Sequence, residues 1–281
     1  MRRDVRRDVR RFAAPLAVNA LLVLGAAVTL APLVWMVSAS VMPTGEASSF
    51  PPGFIPSRIT FEHYRDLFQR LSLGRAFGSS LLLASSVTFC SVILNSMAGY
   101  AFAKLRFPGR DRMFRILLLG MVIPVQIAML PLFLLMRSLG LVNTYLGVIL
   151  PSAAGIFGIF LVRQFARSIP DELLDAARVD GASEWLIYRR LVLPLLKPVL
   201  VTLGVFMFLG TWNDFLWPLV VLTDDTKYTL PVALANLVGE HAQDTELMMA
   251  GSVLTVLPVL LLFLGLQRAY IEGITAGGLK E

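Results

Sequence analysis

The sequence predicts an all-α membrane protein with six transmembrane helices, and three observations predict it. Of the 281 residues, 56% are hydrophobic, and the mean hydropathy is +0.72. Only 16% are charged, whereas about a quarter of the residues in a soluble domain are charged. Apolar runs close to the ~20 residues that a helix needs to cross the hydrocarbon recur along the chain, with short polar loops between them.

The chain begins with a basic arm, residues 1–11, which contains six arginines. The apolar run that follows, residues 12–41, is longer than the roughly 7–15 residues of a signal-peptide core. It therefore predicts the first membrane helix. Pro32 predicts a kink in this helix, and Asn19 requires a polar partner in the bundle.

Residues 42–75 are rich in proline, serine and glycine and are predicted to be extracytoplasmic. They contain one amphipathic helix, which we expect to lie on the membrane surface. His63 is alone in this segment, so we expect it to be solvated rather than to bind a ligand. The apolar face of the predicted helix consists of Phe61, Tyr64, Leu67, Phe68 and Leu71.

Five further spans are predicted in the remaining core, residues 76–267, and a tail of residues 268–281 follows them. Pro124 and Pro131 are predicted to interrupt the second of these five spans. The five spans cover approximately residues 75–103, 113–136, 145–165, 199–222 and 246–266.

Lysine and arginine indicate the side of the membrane on which each loop lies. Six are in the N-terminal arm, five in residues 104–115, six in residues 163–197 and two in the tail, which is 19 of the 25 in the chain. Because these residues concentrate in cytoplasmic loops, both termini and the loop of residues 168–198 are predicted to be cytoplasmic. The basic residues lie in short loops between apolar runs, so the net charge of +6 does not predict a nucleic-acid partner.

The 168–198 loop is the longest stretch between the apolar runs in which the residue types indicate local structure along its whole length. Pro170 suits the first position of a helix, and acidic residues follow it in the opening turn. Gly181 can adopt the left-handed conformation that ends a helix. Ser183 can cap a second helix, which Pro194 is predicted to end. We therefore expect two short helices joined by a glycine turn. Periodicity alone does not distinguish a hairpin that merely links two larger elements from one that has a function of its own.

The sequence lacks the motifs of a nucleotide-hydrolysing site, so the chain is predicted not to be an enzyme. It has no Gly-Lys dipeptide and hence no phosphate-binding loop. It also has no His-Glu-x-x-His and no Cys-x-x-Cys, and its single cysteine, Cys90, lies in an apolar segment. Neither a disulfide framework nor a metal site is expected.

Polar residues within the spans are candidate functional groups. Asp214 is the ionisable one and lies in the outer part of its span. Two interpretations are open for it: a hydrogen bond to a neighbour near the outer interface, or a proton or ion site in a transporter or channel driven by an ion gradient. The other polar candidates are Asn19, Asn95, Gln126 and Asn213.

The 168–198 loop resembles a known motif. Asp175-Ala176-Ala177, then Asp180-Gly181-Ala182, then Leu193-Pro194 are similar to the coupling loop of ABC-importer permeases, with Asp175 in place of the usual glutamate. From about residue 75 onward the chain also resembles the carbohydrate-uptake, maltose-permease-like, binding-protein-dependent branch of that family. The segments that carry this likeness begin at Tyr100, Leu139, Trp212, Thr229 and Gln267.

The resemblance implies a permease subunit of an ATP-driven importer for a sugar or related solute, in a bacterial or archaeal plasma (inner) membrane. It implies a second permease subunit in a heterodimer, two ATPase subunits that hold ATP and Mg, and an extracytoplasmic solute-binding protein. The chain itself is expected to lie in the lipid bilayer and to bind no cofactor. A membrane scaffold or sensor without transport is a further alternative. By the same resemblance, the residues that dock onto the ATPase are Asp175, Ala176, Ala177, Asp180, Gly181 and Ala182.

Overall fold

The computed structural model describes residues 2–51, 53–69, 72–240 and 244–278. For residues 2–17, 238–240 and 266–278 it describes the backbone alone. Leu71 of the predicted amphipathic helix and the last three residues of the predicted tail lie outside the described residues.

All regular secondary structure in the described ranges is helical, as the sequence predicts. Short 3₁₀ turns occupy Gly120–Val122 and Asp225–Lys227, and a π turn occupies Tyr188–Val192. The α-helices are α1 (Arg2–Ala39), α2 (Glu62–Gln69), α3 (Leu73–Lys104), α4 (Arg110–Leu119), α5 (Val125–Ser138), α6 (Tyr145–Ser152), α7 (Ile156–Arg167), α8 (Asp171–Val179), α9 (Glu184–Ile187), α10 (Leu193–Leu195), α11 (Lys197–Trp212), α12 (Leu216–Val221), α13 (Leu230–Glu240) and α14 (Thr245–Gly278).

The part of the chain that the structure describes contains four helical segments long and apolar enough to cross a membrane. Two further pairs of helices reach this length and hydropathy together but are sharply bent, and counting each pair as one span gives six. The four segments are Val18–Ala39, Leu73–Lys104, Tyr145–Arg167 and Thr245–Gly265.

The first bent pair, Arg110–Val122 and Val125–Ser138, turns by 106° at Pro124. Proline has no N–H to continue a helix, and it disfavours helical backbone in the residue before it. Accordingly, Ile123 has extended backbone, with φ −79° and ψ 117°. The predicted interruption at Pro131 is wrong, because this proline lies inside α5. Membrane helices tolerate such a proline when neighbouring groups satisfy the freed carbonyl.

Contacts divide the chain into two compact units, one of residues up to 71 with residues 237–256, and one of residues 72–236 with residues 257 onward. In the first unit, the residues of the predicted amphipathic face differ in burial. Leu67 is fully buried, whereas Phe61 is 68% exposed.

His63 is also buried, so the prediction of a solvated histidine is wrong. Its side chain belongs to the buried face of α2, together with Leu67. The ring Nε2 lies 2.9 Å from the carbonyl oxygen of Met42, which can only accept, so the histidine donates this bond. A buried ring nitrogen is stable here because it has a backbone partner.

In the second unit α3 packs along α7 and α11. Gly99 allows the close approach of α7, since a Cβ atom at this position would lie 2.6 Å from Val162 Cβ. Small residues at helix crossings are the usual means of close packing in membranes. The buried cluster that joins these helices to the 168–198 loop includes Tyr100, Val162, Ala166, Ile169, Leu174, Ile187, Tyr188 and Val192.

Candidate functional site

The 168–198 loop is fastened to the end of α3 by one lysine. Lys104 Nζ donates a hydrogen bond of 2.6 Å to the carbonyl oxygen of Ile169 and one of 2.7 Å to Asp171 Oδ1. The bond from Lys104 lowers the pKa of the Asp171 carboxyl below its ordinary value. These contacts fix the point at which the loop leaves the helical bundle.

The first helix of the loop, α8, begins after Pro170, which lies at the N-cap, one position earlier than predicted. Its fixed φ of −60° suits the entry into a helix. Asp171 and Glu172 occupy the first turn, where the helix dipole favours negative charge.

The turn between the two helices is a Schellman motif. Gly181 has a φ of +80°, the left-handed conformation that the sequence predicts. Its N–H bonds to the carbonyl oxygen of Arg178, and the N–H of Ala182 bonds to that of Ala177, each at 3.0 Å. Both bonds satisfy carbonyl groups that the end of α8 would otherwise leave unpaired.

The second helix begins at its predicted cap, because Ser183 Oγ accepts a hydrogen bond of 3.3 Å from the N–H of Leu186. Pro194 does not end this helix, contrary to the prediction. The N–H of Leu193 bonds to the carbonyl of Tyr188, and this wide π turn carries the chain past the proline. The helix ends after α10 instead, and the chain turns by 77° into α11.

A chain of side-chain hydrogen bonds links the surface of the loop to α3. Arg178 donates to Asp175 Oδ1 at 2.6 Å and to Glu184 Oε1 at 2.7 Å. The Tyr100 hydroxyl donates to Glu184 Oε2 at 2.9 Å. The bonds to Glu184 and Asp175 raise the pKa of Arg178 above its ordinary value. The two helices of the loop are therefore tied together and to a membrane helix.

The loop has one apolar side that packs on the bundle and another that is exposed. Leu174 and Ile187 are each 1% exposed and belong to the buried cluster. In contrast, Val179 is 87% exposed and Trp185 is 59% exposed. Exposed apolar side chains on a firmly anchored surface are typical of a contact site for another protein.

The structure brings the predicted docking residues together at the tip of the loop. Asp175 Oδ1 accepts a hydrogen bond from Arg178 of its own helix, while the carboxylate itself remains exposed. Ala177 and Ala182 are partly covered by the buried cluster. The exposed members are Asp175, Ala176, Asp180 and Gly181.

Sequence reasoning did not identify three residues of this site: Arg178, Glu184 and Tyr100. The i,i+3 spacing of Asp175 and Arg178 is a local signal that could have indicated the first contact. The bond from Tyr100 to Glu184 joins residues 84 positions apart, so no local pattern predicts it.

A second candidate site is a cavity of about 230 Å³ in the helical bundle, lined by Asp214 and Gln126 among others. The predicted span 199–222 is broken here, because α11 ends at Trp212 and α12 begins at Leu216. Asp214 Oδ1 accepts a hydrogen bond of 3.4 Å from the N–H of Trp217, which is the neighbour contact that one interpretation expected.

The remaining polar candidates lie elsewhere. Asn213 is exposed and donates to the carbonyl of Leu209 at 2.9 Å. Asn95 is buried and donates to Ser91 Oγ at 2.6 Å. Asn19 is exposed on α1. In the described residues, no three His, Cys, Asp or Glu side chains are grouped so that they could hold a metal ion.

Most of this chain matches the model of one protein family. The model of the family "Binding-protein-dependent transport system inner membrane component" matches residues 91–275. This range includes the 168–198 loop, the cavity and most of the helical bundle.

Relatives with assigned names extend the likeness over nearly the whole chain. The chain is 40% identical to the arabinooligosaccharides transport system permease protein AraQ of Halalkalibacterium halodurans over 89% of its length and 90% of the relative. It is 33% identical to the diacetylchitobiose uptake system permease protein NgcG of Streptomyces coelicolor over 95% of its length and 89% of the relative.

A solved structure has the same fold. A chain of a bacterial ABC transporter that imports the acidic polysaccharide alginate superposes with a TM-score of 0.81 and 27% sequence identity, covering 93% of this chain and 97% of that one. None of these comparisons supports a channel or a transporter driven by an ion gradient. The chain therefore belongs to the family of inner membrane components of binding-protein-dependent transport systems, the non-catalytic, multi-pass permease subunits of ABC importers.

Proposed function

We propose that the chain imports a sugar or short saccharide as one of two permease subunits of an ATP-driven importer, and that it forms half of the translocation path. The names of its relatives support this solute class, since they transport arabino-oligosaccharides and diacetylchitobiose. In this proposal the two bent pairs also cross the membrane, which gives six spans with both termini in the cytoplasm. The distribution of lysine and arginine supports that orientation.

The 168–198 loop is the part of the chain that couples to the ATPase. The observation that carries this assignment is the hydrogen-bonded chain from Asp175 through Arg178 and Glu184 to Tyr100. Because the loop is tied to α3, a force on its exposed tip moves a membrane helix rather than only bending the loop. Closure of two ATPase subunits on ATP binding would then rock the helical bundle.

The remaining partners follow from the same proposal. A second permease subunit completes the path, and an extracytoplasmic binding protein delivers the solute. ATP and Mg stay on the ATPase subunits. The exposed Val179 and Trp185 supply the apolar contact that a docked ATPase subunit covers.

Cross-linking tests the docking site in the assembled importer. Cys90 is first replaced by alanine, and single cysteines are then introduced as Ala176→Cys or Asp180→Cys, both exposed positions at the tip of the loop. A short heterobifunctional reagent, which joins the introduced thiol to a lysine amine, is expected to link each variant to the ATPase subunit in membrane vesicles.

Asp225→Cys is the control, since it is also exposed but follows the 199–222 span, in a loop that the proposed six-span orientation puts outside the cytoplasm. It should give no such product and should react with a membrane-impermeant thiol reagent added to intact cells. Labelling of positions 176 and 180 from outside, or the absence of the cross-link at both, would overturn the proposed coupling role.

A further inference from the structure

Three helical interruptions meet around the cavity near Asp214. The chain bends at Pro124 before α5, breaks at residues 153–155 between α6 and α7, and breaks again at residues 213–215 between α11 and α12. Irregular backbone within a membrane protein is found where it is buried in protein or lines a water-filled cavity. Transporters of other folds place their solute sites at such broken helices. The cavity near Asp214 shares this arrangement of broken helices around polar side chains.

The cavity wall combines hydrogen-bonding groups with apolar surface. Asp214, Gln126 and Ser152 contribute a carboxyl, an amide and a hydroxyl group, and each comes from a different helical region. Trp217 also lines the cavity, and its indole N–H is occupied by the carbonyl oxygen of Gly147 at 3.2 Å. The indole therefore contributes apolar surface rather than a donor. The other described residues of the wall are apolar: Val125, Met129, Leu132, Pro151 and Leu216.

This combination suits a sugar ring. A sugar presents hydroxyl groups at its edge, which donate and accept hydrogen bonds, and C–H groups on its faces, which pack on apolar and aromatic surface. The cavity volume of about 230 Å³ corresponds to about eight water molecules in the liquid, so it is suited to one monosaccharide unit at a time.

Asp214 retains acceptor capacity beyond its structural bond. A carboxylate offers about four acceptor sites, and Oδ1 of this one accepts a bond from the backbone N–H of Trp217. The bond to the N–H of Trp217, at 3.4 Å, is also long for an N–H···O hydrogen bond. The same carboxyl group can therefore cap α12 and accept from a solute hydroxyl.

We propose that this cavity is a subsite of the translocation path for one neutral sugar ring, in which Asp214 and Gln126 accept and donate the hydrogen bonds that recognise its hydroxyl groups. Asp214 also sets the preference for neutral over acidic sugars. The proposal rests on the proposed function and adds to it a site within this subunit.

The preference follows from the charge of the wall. Among the described residues of the cavity wall, Asp214 is the acidic one, and no lysine or arginine lines the cavity. A uronic acid would bring a second carboxyl group into the same partly enclosed space, and two carboxyl groups that share a site disfavour each other's ionised forms.

Transport kinetics in proteoliposomes test the subsite. The complete importer, with its second permease, ATPase subunits and binding protein, is supplied with labelled arabinotriose, lactose or trehalose as neutral probes. Asp214→Asn keeps an acceptor for the cap of α12, and we expect it to lower kcat/KM for uptake about 10-fold, with about 3-fold for Gln126→Ala. The number of sugars transported per ATP falls in both variants.

Two neighbouring residues that do not line the cavity provide matched controls. Asn213→Ala and Ile127→Ala change exposed side chains beside Asp214 and Gln126 and should transport like the wild type. If the importer that contains Asp214→Asn does not assemble, Gln126→Ala provides the test. Gln126 is exposed, so its truncation leaves the bundle core unchanged.

A second measurement tests the charge preference. The neutral probe and its derivative with one ring oxidised to a uronate are compared, with uptake normalised to the occupancy of the binding protein by each. The wild type should favour the neutral probe, and Asp214→Asn should reduce that preference about threefold or more.

The outcomes separate the two proposals. A wild-type importer that takes up none of the neutral probes on addition of ATP contradicts the proposed solute class. A wild-type importer that does take them up, while the Asp214 and Gln126 variants behave like their controls, overturns the subsite alone.

Discussion

Tyr100 and Glu184 join a membrane helix to the loop that faces the ATPase in the proposed function. The tyrosine hydroxyl on α3 donates a hydrogen bond of 2.9 Å to Glu184 Oε2, and Arg178 donates to the other oxygen of the same carboxylate at 2.7 Å. Glu184 is thus held by one group from the bundle and one from the first helix of the loop. This arrangement makes the glutamate one point, besides the Lys104 contacts, through which movement of the loop reaches α3.

Removal of the Tyr100 hydroxyl is expected to weaken coupling. Tyr100→Phe keeps the ring in the buried cluster and deletes one hydrogen bond, which costs about 1 kcal/mol of stability. We expect fewer solute molecules transported per ATP hydrolysed in proteoliposomes. Tyr145→Phe is the control, since it also deletes a hydroxyl contact with a serine of α3, at 2.8 Å, but away from the loop. Equal coupling ratios in the two variants would show that the Tyr100 bond serves stability alone.

Gly181 provides a second test of the same loop. A Cβ atom there would meet no atom within 4 Å, so the cost of substitution comes from the φ of +80° alone. Gly181→Val should destabilise the turn by about 1–2 kcal/mol, and Gly181→Asn by less, because asparagine tolerates the left-handed conformation. Protease sensitivity of the loop and the coupling ratio should both follow the order Val, Asn, Gly.

Gly210→Ala is the matched control for these substitutions, because it also has open space around it but has no positive φ. It should leave both measurements unchanged. If Gly181→Val behaves like Gly210→Ala, the left-handed turn is not needed for coupling.

The turn and caps of the 168–198 loop are predictable because they depend on single residues. Gly181 and Ser183 act through the backbone beside them, so the sequence alone indicates both. Pro194 shows the limit of such rules, because the π turn that accommodates it depends on packing of the whole second helix. The bond between Tyr100 and Glu184 depends on the packing of α3 against the loop, which the sequence pattern does not contain.

Burial is the other property that the sequence predicted incompletely. His63 is buried on α2 together with Leu67, whereas apolarity alone selected Leu67 with Phe61 and Phe68, which are exposed. A polar side chain can be buried where a backbone acceptor such as the Met42 carbonyl is available. An amphipathic pattern contains no information about that acceptor, because the acceptor lies elsewhere in the chain. The hydropathy pattern predicted the all-helical membrane class because that class depends on average composition over many residues.

Close packing of α3 on α7 gives a prediction about assembly. At Gly99 an added Cβ atom would lie 2.6 Å from Val162 Cβ and 3.0 Å from the backbone N of Arg163, whereas at Gly78 on the same helix it would meet no atom within 4 Å. Gly99→Ala should therefore destabilise the subunit by about 1–3 kcal/mol through overpacking. Gly78→Ala should be neutral. Thermal unfolding in detergent measures both, and equal melting temperatures would contradict the close approach.

The contact between Lys104 and Asp171 predicts a pH dependence. The hydrogen bond from Lys104 depresses the pKa of the folded Asp171 below its ordinary value, which is about 3.9 in an unfolded chain. Its contribution to stability is therefore fully present above about pH 4 and is lost as the pH falls from there through the folded pKa. Anchoring of the loop should be constant from pH 5 to 8.

The difference between wild type and Asp171→Asn isolates this effect, because the other carboxylates titrate in both proteins. Protease sensitivity of the loop should differ between them above pH 5, and the difference should decrease as the pH falls below about 4. A difference that instead changes between pH 6 and 8 would assign the anchoring to another group.

Glu246 gives a prediction about the first unit. It is fully buried, and its Oε1 accepts a hydrogen bond of 2.7 Å from the backbone N–H of Ala47. Glu246→Ala leaves that N–H without its acceptor in a buried site, at a cost of about 1–3 kcal/mol. Glu246→Gln keeps an acceptor oxygen and should restore most of the loss. We expect faster proteolysis of residues 42–69 in the alanine variant.

Glu46 offers the comparison within the same unit, since its carboxylate accepts from the N–H and the hydroxyl of Ser57 at 2.8 Å but in an exposed setting. Water can replace this carboxylate as the acceptor, so Glu46→Ala should cost less than Glu246→Ala. Proteolysis rates in reconstituted importer should therefore rank the variants as Glu246→Ala fastest, then Glu46→Ala, then Glu246→Gln. Equal rates for the two alanine variants would mean that burial of the Ala47 amide does not determine the stability of this segment.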